Sequence, residues 1–222
     1  FAAPGDYVVR HMGTQAVILT LAADGEVRAI FNRCSHRGAT LCAFERGSSP
    51  HGHQCPYHGW MFNADGSLRF VSHKVNYDGV MNPADYAIPQ VRLETYRGFI
   101  FGNLDAAAPP LEEFLGHMKT TIDDLVDRSP TGKLEIGKFQ LRHYYRANWK
   151  MTFENLNDTI HPGFAHAASV VSAKSVAQTL ERREDLAPTL GMMLANGKPV
   201  QFFQDLDMIT APGGHSYIGG HM

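Results

Sequence analysis

Apolar and polar positions alternate at short period through residues 1–104, with turn signals between the runs. The segment AVILTLAADGEVRAIF, residues 16–31, is two apolar runs around Asp24-Gly25, which predicts a β-hairpin. WMFNADGSLRF, residues 60–70, repeats the device around Asp65-Gly66. QVRLETY, residues 90–96, alternates with period two, and Arg97-Gly98 turns it into FIFGNL. Short strands, close turns and no helical period predict an all-β domain over 1–104, a small sandwich or barrel.

The pattern changes at DAAAPPLEEF, residues 105–114. Its Ala-Pro run reads as a linker, and Pro109-Pro110 can start a helix but not continue one. Leu111, Phe114, Leu115, Met118, Ile122, Leu125 and Val126 then follow helical spacing. KLEIGKFQLRHYYRANW, residues 133–149, predicts a long strand whose phase slips at Gly137-Lys138, as a β-bulge would make it do. KMTFENLNDTIH, residues 150–161, has good helix formers and predicts a helix stopped by Pro162-Gly163. The chain is therefore expected to be α+β: the all-β domain, then a partial α+β domain over 105–222 with an antiparallel sheet and helices. It ends on GGHSYIGGHM without a closing element, which suggests a fragment of a longer chain.

Composition narrows the partners. The chain has 222 residues, 44% of them hydrophobic, enough to bury a core. Net charge is −2 and no run of Lys or Arg occurs, so nothing points to nucleic acid. No apolar stretch approaches the roughly 20 residues of a membrane span. The first residues, FAAPGDYVVRH, lack the features of a secretory signal, and a cytoplasmic location is expected. Three cysteines cannot form a paired disulfide framework.

Spacing singles out two of those cysteines. CSHRG and CPYHGW place Cys34, His36, Cys55 and His58 in the order C-x-H, 18 residues, C-x-x-H. Four such ligands in two short loops can close a metal site, and a structural zinc uses the same residue types. Pro56, Gly59 and Gly38 let the two loops wrap closely around something larger than one ion. His51 and His53 read as loop residues, and Cys42, after Leu41, as a small buried core thiol.

At these residues the chain resembles Rieske iron–sulfur proteins. CSHRGATL and CPYHGW match the two cluster-binding loops of that family, with Arg37, Gly38, Pro56, Gly59 and Trp60 also in pattern. The resemblance implies a [2Fe–2S] cluster with Cys34 and Cys55 on one iron and His36 and His58 on the other. Imidazoles in place of two thiolates raise the potential, to roughly −150 to +300 mV for the class.

A second constellation lies in NWKMTFENLNDTIHPGFAH, residues 148–166. On a helix running to position 161, Asp158 and His161 share one face, and His166 follows beyond the Pro-Gly break. Two histidines and a carboxylate are the ligand type of non-haem Fe(II) oxygen enzymes, although helix-end histidines are often only structural. Taken together, the two constellations resemble the catalytic α subunit of a Rieske non-haem iron ring-hydroxylating oxygenase. Asn148-Trp149-Lys150, Glu154-Asn155, Asp158, His161 and His166 match the mononuclear-iron segment of that family, with one residue fewer between Glu154 and Asp158 than in some members.

The resemblance implies that His161 and His166 bind Fe(II), that Asp158 bridges to a cluster histidine of a neighbouring subunit, and that Asn155 lines the pocket. The family's third ligand is a carboxylate well beyond position 222. Asp205 and Asp207 come too early in the chain, and neither is assigned. The implied activity is that of a terminal oxygenase: O2 and electrons from NAD(P)H hydroxylate an aromatic substrate. A ferredoxin and/or flavin reductase would supply the electrons, since no flavin or nicotinamide fingerprint occurs. A homotrimer or an α3β3 assembly is implied. Monooxygenation and demethylation remain alternatives at the same iron. A pure Rieske electron-transfer protein would need no His161 and His166 pair.

Overall fold

The computed structural model describes residues 1–135, 137, 143–180, 186–198, 206–212 and 214–219. The chain divides into two compact units, Phe1–Glu113 and Phe114–Met222.

The first unit is built on antiparallel strands. Strands β1 (Asp6–Met12), β2 (Gln15–Leu21), β3 (Val27–Phe31), β4 (Arg46–Ser48), β8 (Gln90–Tyr96) and β9 (Phe99–Asn103) form one sheet, ordered β4-β1-β2-β3-β8-β9. A smaller sheet joins β5 (His53–Gln54), β6 (Met61–Phe62) and β7 (Leu68–Phe70). All three expected hairpins are present, as β2–β3, β6–β7 and β8–β9. At the last turn Arg97 and Gly98 take φ of 50° and 87°, the paired left-handed conformation that a tight hairpin needs. The Asp24 carboxylate accepts from the Glu26 amide and pairs with the Arg28 guanidinium at 2.6 and 2.8 Å, closing the first turn.

Strands β2 and β3 are covered on both faces. On one face Val17 packs with Ala29 and Val91. On the other Ile18 and Ile30 join Trp60, Phe62, Leu41 and Ile88, and this larger cluster also contains Cys34, Cys42 and Cys55. Each fully buried aliphatic or aromatic side chain there contributes about 1.5–3 kcal/mol. The segment after β9 folds back onto β8. The Leu111 amide donates to Glu94 Oε2 at 3.0 Å, and the Arg92 guanidinium to the Ala108 carbonyl. Residues up to Glu113 therefore belong to this unit.

The apolar stripe that begins at Leu111 is not one helix. Helix α1 (Leu111–Leu115) passes into a 3-10 turn at Gly116–Met118 and then α2 (Lys119–Asp127). Gly116 has φ of 50°, which interrupts the helical path. Of the expected strand over 133–149, residues 136 and 138–142, with the proposed bulge partner Lys138, lie outside the described residues. Helices α3 (Trp149–Leu156), α4 (His161–Ala165), α5 (Ala167–Ala177) and α6 (Pro188–Ala195) follow, then a hairpin of β10 (Asp207–Ala211) and β11 (His215–Gly219).

The single helix expected over 150–161 is corrected. Helix α3 ends at Leu156, and α4 starts at His161 with Pro162 in its first turn, where the missing N–H costs nothing. Asp158 lies between the two helices. Its Oδ1 accepts from the amides of Ile160 at 2.8 Å and His161 at 3.1 Å, which satisfies donors at the start of α4. A proline read as a stop signal is here a start signal.

Candidate metal centres

The first constellation is assembled by two loops with the same backbone closure. In one, the Cys34 amide donates to the Ala39 carbonyl at 2.8 Å and the Gly38 amide to the Cys34 carbonyl at 2.9 Å. In the other, the Cys55 amide donates to Trp60 at 2.7 Å and the Gly59 amide to Cys55 at 3.0 Å. Gly38 and Gly59 have φ of 76° and 72°, the left-handed region, so each loop turns at its glycine. The loops differ in which residue is histidine, the third in one and the fourth in the other.

This closure sends the cysteines inward and the imidazoles outward. Cys34 and Cys55 are each 2% exposed, whereas His36 and His58 are half-buried. The two thiols are neighbours. Burial pushes the Cys34 thiol up, the backbone amides of His36 and Arg37 aimed at its sulfur oppose this, and Cys55 raises it further. The His36 and His58 rings lie 4.9 Å apart, centroid to centroid. Burial, then the proximity of His58 and Arg37, lowers the His36 pKa, which favours a neutral ring with a free lone pair.

Each ring and each loop has a support. Trp60 stacks on His36 at 4.5 Å, and Tyr57 lies against His58 at 3.8 Å. The Ser35 hydroxyl donates to the Tyr86 carbonyl at 2.6 Å, and Ser72 to the His58 carbonyl at 2.5 Å. Asn32 clamps the end of the first loop: its Oδ1 accepts from the Leu41 and Cys42 amides, and its Nδ2 donates to the Cys42 carbonyl.

Cys42 is buried, as expected. His53 is not the loop residue the sequence suggested. It starts β5 and is 1% exposed, with Nε2 2.9 Å from Thr20 Oγ1 and Nδ1 3.4 Å from Cys42 Sγ. Burial pushes its pKa down to about 4 and the Cys42 thiol up to about 11. The alternation of His53 with Cys55 about the exposed Gln54 was a usable signal, masked by the Gly and Pro around it.

The second constellation is more open. Asp158 Oδ2 lies 3.3 Å from His161 Nδ1, off the line of a hydrogen bond, and among the described residues that buried nitrogen has no hydrogen-bond partner. The His161 and His166 rings are 5.4 Å apart. His166 sits at the junction of α4 and α5 and is exposed. The Asp158 pKa is lowered, first by the Ile160 amide and then by that of His161. A groove of about 960 Å3 beside this segment is lined by Asn155, Asp158, Ile160, Thr210 and His215, among others, but by neither His161 nor His166. Asn155 is exposed. Asp205 and the Asp207 side chain lie outside the described residues. Among the described residues, no three His, Cys, Asp or Glu side chains converge as they would around a single ion.

The Rieske [2Fe–2S] domain family matches residues 2–92, and this part of the chain is a Rieske domain. The chain is a homologue of the large subunits of aromatic ring-hydroxylating dioxygenases. It is 41% identical over 165 residues to the toluate 1,2-dioxygenase subunit alpha of Pseudomonas putida, covering 72% of this chain and 36% of that one. It is 37% identical over 189 residues to the large oxygenase component of the naphthalene 1,2-dioxygenase system of Pseudomonas putida, covering 84% and 41%. The crystal structure of naphthalene 1,2-dioxygenase from Rhodococcus sp. bound to indole superposes with a TM-score of 0.77 at 31% identity, covering 100% of this chain and 46% of that one. The chain thus spans less than half the length of these relatives. No helix among the described residues is long and apolar enough to cross a membrane.

Proposed function

We propose that this chain acts in the terminal oxygenase component of a multicomponent ring-hydroxylating dioxygenase, which uses O2 and electrons from NAD(P)H to hydroxylate an aromatic substrate. The observation that carries the reading is the pairing of two buried thiols with two nearby imidazoles in loops of like closure. Cys34 and Cys55 would hold one iron of a [2Fe–2S] cluster, and His36 and His58 the other. The donor set fits. Thiols packed together inside the core and a pair of rings toward solvent suit a two-metal group with a thiolate end and an imidazole end. Amides of His36 and Arg37 are already aimed at the Cys34 sulfur.

His161 and His166 would hold a mononuclear Fe(II) together with a carboxylate. When bound, the cluster stores one electron and the Fe(II) supplies the oxygen chemistry. The protein's own part is orientation. Trp60 holds the His36 plane, and Ser72 holds the His58 backbone. Asp158, kept ionised by two backbone amides, can accept from the His161 ring and from a cluster histidine of a neighbouring subunit. Asn155 would face the substrate groove. A ferredoxin and/or flavin reductase would deliver electrons to a homotrimer or α3β3 assembly in the cytoplasm. A division into a Rieske domain over 1–104 and a mononuclear-iron domain from 105 onward goes with this reading.

Metal, sulfide and EPR analysis test it together. Iron with inorganic sulfide, and a reduced-state signal of low average g, is the expected result. Stoichiometric zinc without sulfide overturns it. Iron at the cluster alone, with none at His161 and His166 in the complete protein, would leave an electron-transfer protein instead.

A further inference from the structure

Two elements bear the cluster residues, and the contact that joins them behind the site is a hydrogen bond between His53 and Cys42. His53 opens β5, two residues before Cys55, and Cys42 closes the segment that begins at Cys34. Neither is placed among the ligands. Both are buried, as are Tyr7 and Thr20, the groups at either end of the contact. A fully buried histidine with polar partners on both ring nitrogens is costly to keep unless the arrangement is satisfied throughout.

The donors and acceptors can run in one direction. The Tyr7 hydroxyl neighbours the Cys42 sulfur and can donate to it. The Cys42 thiol can then donate to His53 Nδ1 at 3.4 Å, and the His53 Nε2–H to Thr20 Oγ1 at 2.9 Å. In this order the ring is the Nε2–H tautomer. The two ends meet again, because Tyr7 and Thr20 are cross-strand partners in the β1–β2 ladder. Four side chains thus form a loop of contacts whose base is one rung of the sheet. Its free side ties the end of the first ligand loop to the start of the second. Asn32, with three hydrogen bonds to Leu41 and Cys42, holds the same segment from β3.

We propose that His53 is a positioning residue: through Cys42 it sets the separation of the Cys34–His36 and Cys55–His58 pairs, and so the shape of the cluster that they hold. The inference rests on the cluster reading given above. Rotating or releasing the ring frees the Cys55 strand to move relative to the Cys34 loop without removing any ligand. The consequence is a spread of cluster geometries rather than loss of binding.

Two substitutions in the full chain separate the halves of the contact. His53→Asn places an amide oxygen where Nδ1 stands and keeps an acceptor for Cys42. His53→Gln reaches toward Thr20 and releases Cys42. The reduced-cluster EPR spectrum is expected to keep wild-type g values and linewidths in the Asn variant. In the Gln variant it should broaden, with cluster iron lost to a chelator about tenfold faster. Cys42→Ala removes a single sulfur, cuts the same link from the other side, and should reproduce the Gln variant. Wild-type spectra and loss rates in both the Gln and Cys42→Ala variants overturn the proposal. Should the histidine variants fail to accumulate, Cys42→Ala decides alone. A wild-type chain without inorganic sulfide brings down the cluster reading and this inference with it. A sulfide-containing wild type with unchanged variants brings down the brace only.

Discussion

The Trp60 indole lies flat on the His36 ring, 4.5 Å between centroids and 11° between planes, and is itself 1% exposed. Tyr77 and Tyr86 meet the indole edge-on, so a packed aromatic group supports the plane of His36. Trp60→Ala should cost about 3–5 kcal/mol of unfolding free energy. Trp60→Phe keeps a ring in the stack and should retain more of both stability and bound iron. Urea denaturation with iron content measured on the same samples checks this. Equal iron content in the Ala variant and the wild type would show that His36 needs no such support.

Asn32 makes three hydrogen bonds to one buried segment, and its loss strands the Leu41 and Cys42 amides. Asn32→Ala is expected to destabilise the chain by about 2 kcal/mol or more. A shift of the denaturation midpoint at unchanged slope is the diagnostic result. An effect below about 0.5 kcal/mol, the level of ordinary surface changes, would mean that water replaces all three bonds.

Two hairpin glycines should respond differently to the same substitution. Gly25 has φ of 88° and open space where a Cβ would go, so Gly25→Ala carries only the left-handed strain, about 1 kcal/mol. Gly66 has φ of 82°, and its Cβ would stand 2.1 Å from the Ile88 carbonyl oxygen. The Ile88 amide also donates to Gly66 at 2.8 Å, so the two backbones cannot separate without losing that bond. Gly66→Ala should therefore cost several times more than Gly25→Ala in parallel thermal melts.

Asp158→Asn keeps an oxygen for the Ile160 and His161 amides and removes the charge. Helix content and bound iron should be unchanged in the complete oxygenase, while product formation falls about 100-fold or further. Single turnover with a pre-reduced cluster is the decisive measurement. Wild-type cluster oxidation in the variant, on adding substrate and oxygen, would remove Asp158 from the electron path.

The Asp24 carboxyl is held well below its ordinary value of 3.8, chiefly by the Arg28 guanidinium and then by the Glu26 amide. A lowered carboxylate pKa stabilises the fold above the unfolded-state value and loses that contribution as pH falls through the folded one. The stability difference between wild type and Asp24→Asn should therefore be full at pH 6 and shrink steadily below about pH 4. Salt should reduce it as well, because the pair is exposed. A difference that grows on acidification would contradict the sign.

Local chemistry in the sequence by itself determined the three hairpins, the buried thiol at Cys42, and the two loops with their four ligand-type residues. Asp-Gly and Arg-Gly turns need φ values that few other residues tolerate, and Cys and His at close spacing in glycine-bounded loops have few other uses. The folded structure decided the rest. Pro162 can end one helix or begin another, and the Asp158 carboxylate receiving the Ile160 and His161 amides selected the second. His53 and His51 are indistinguishable as letters. One is sealed against Thr20 and Cys42 because β5 meets the β1–β2 rung, residues far apart in sequence, and no local period records such a meeting.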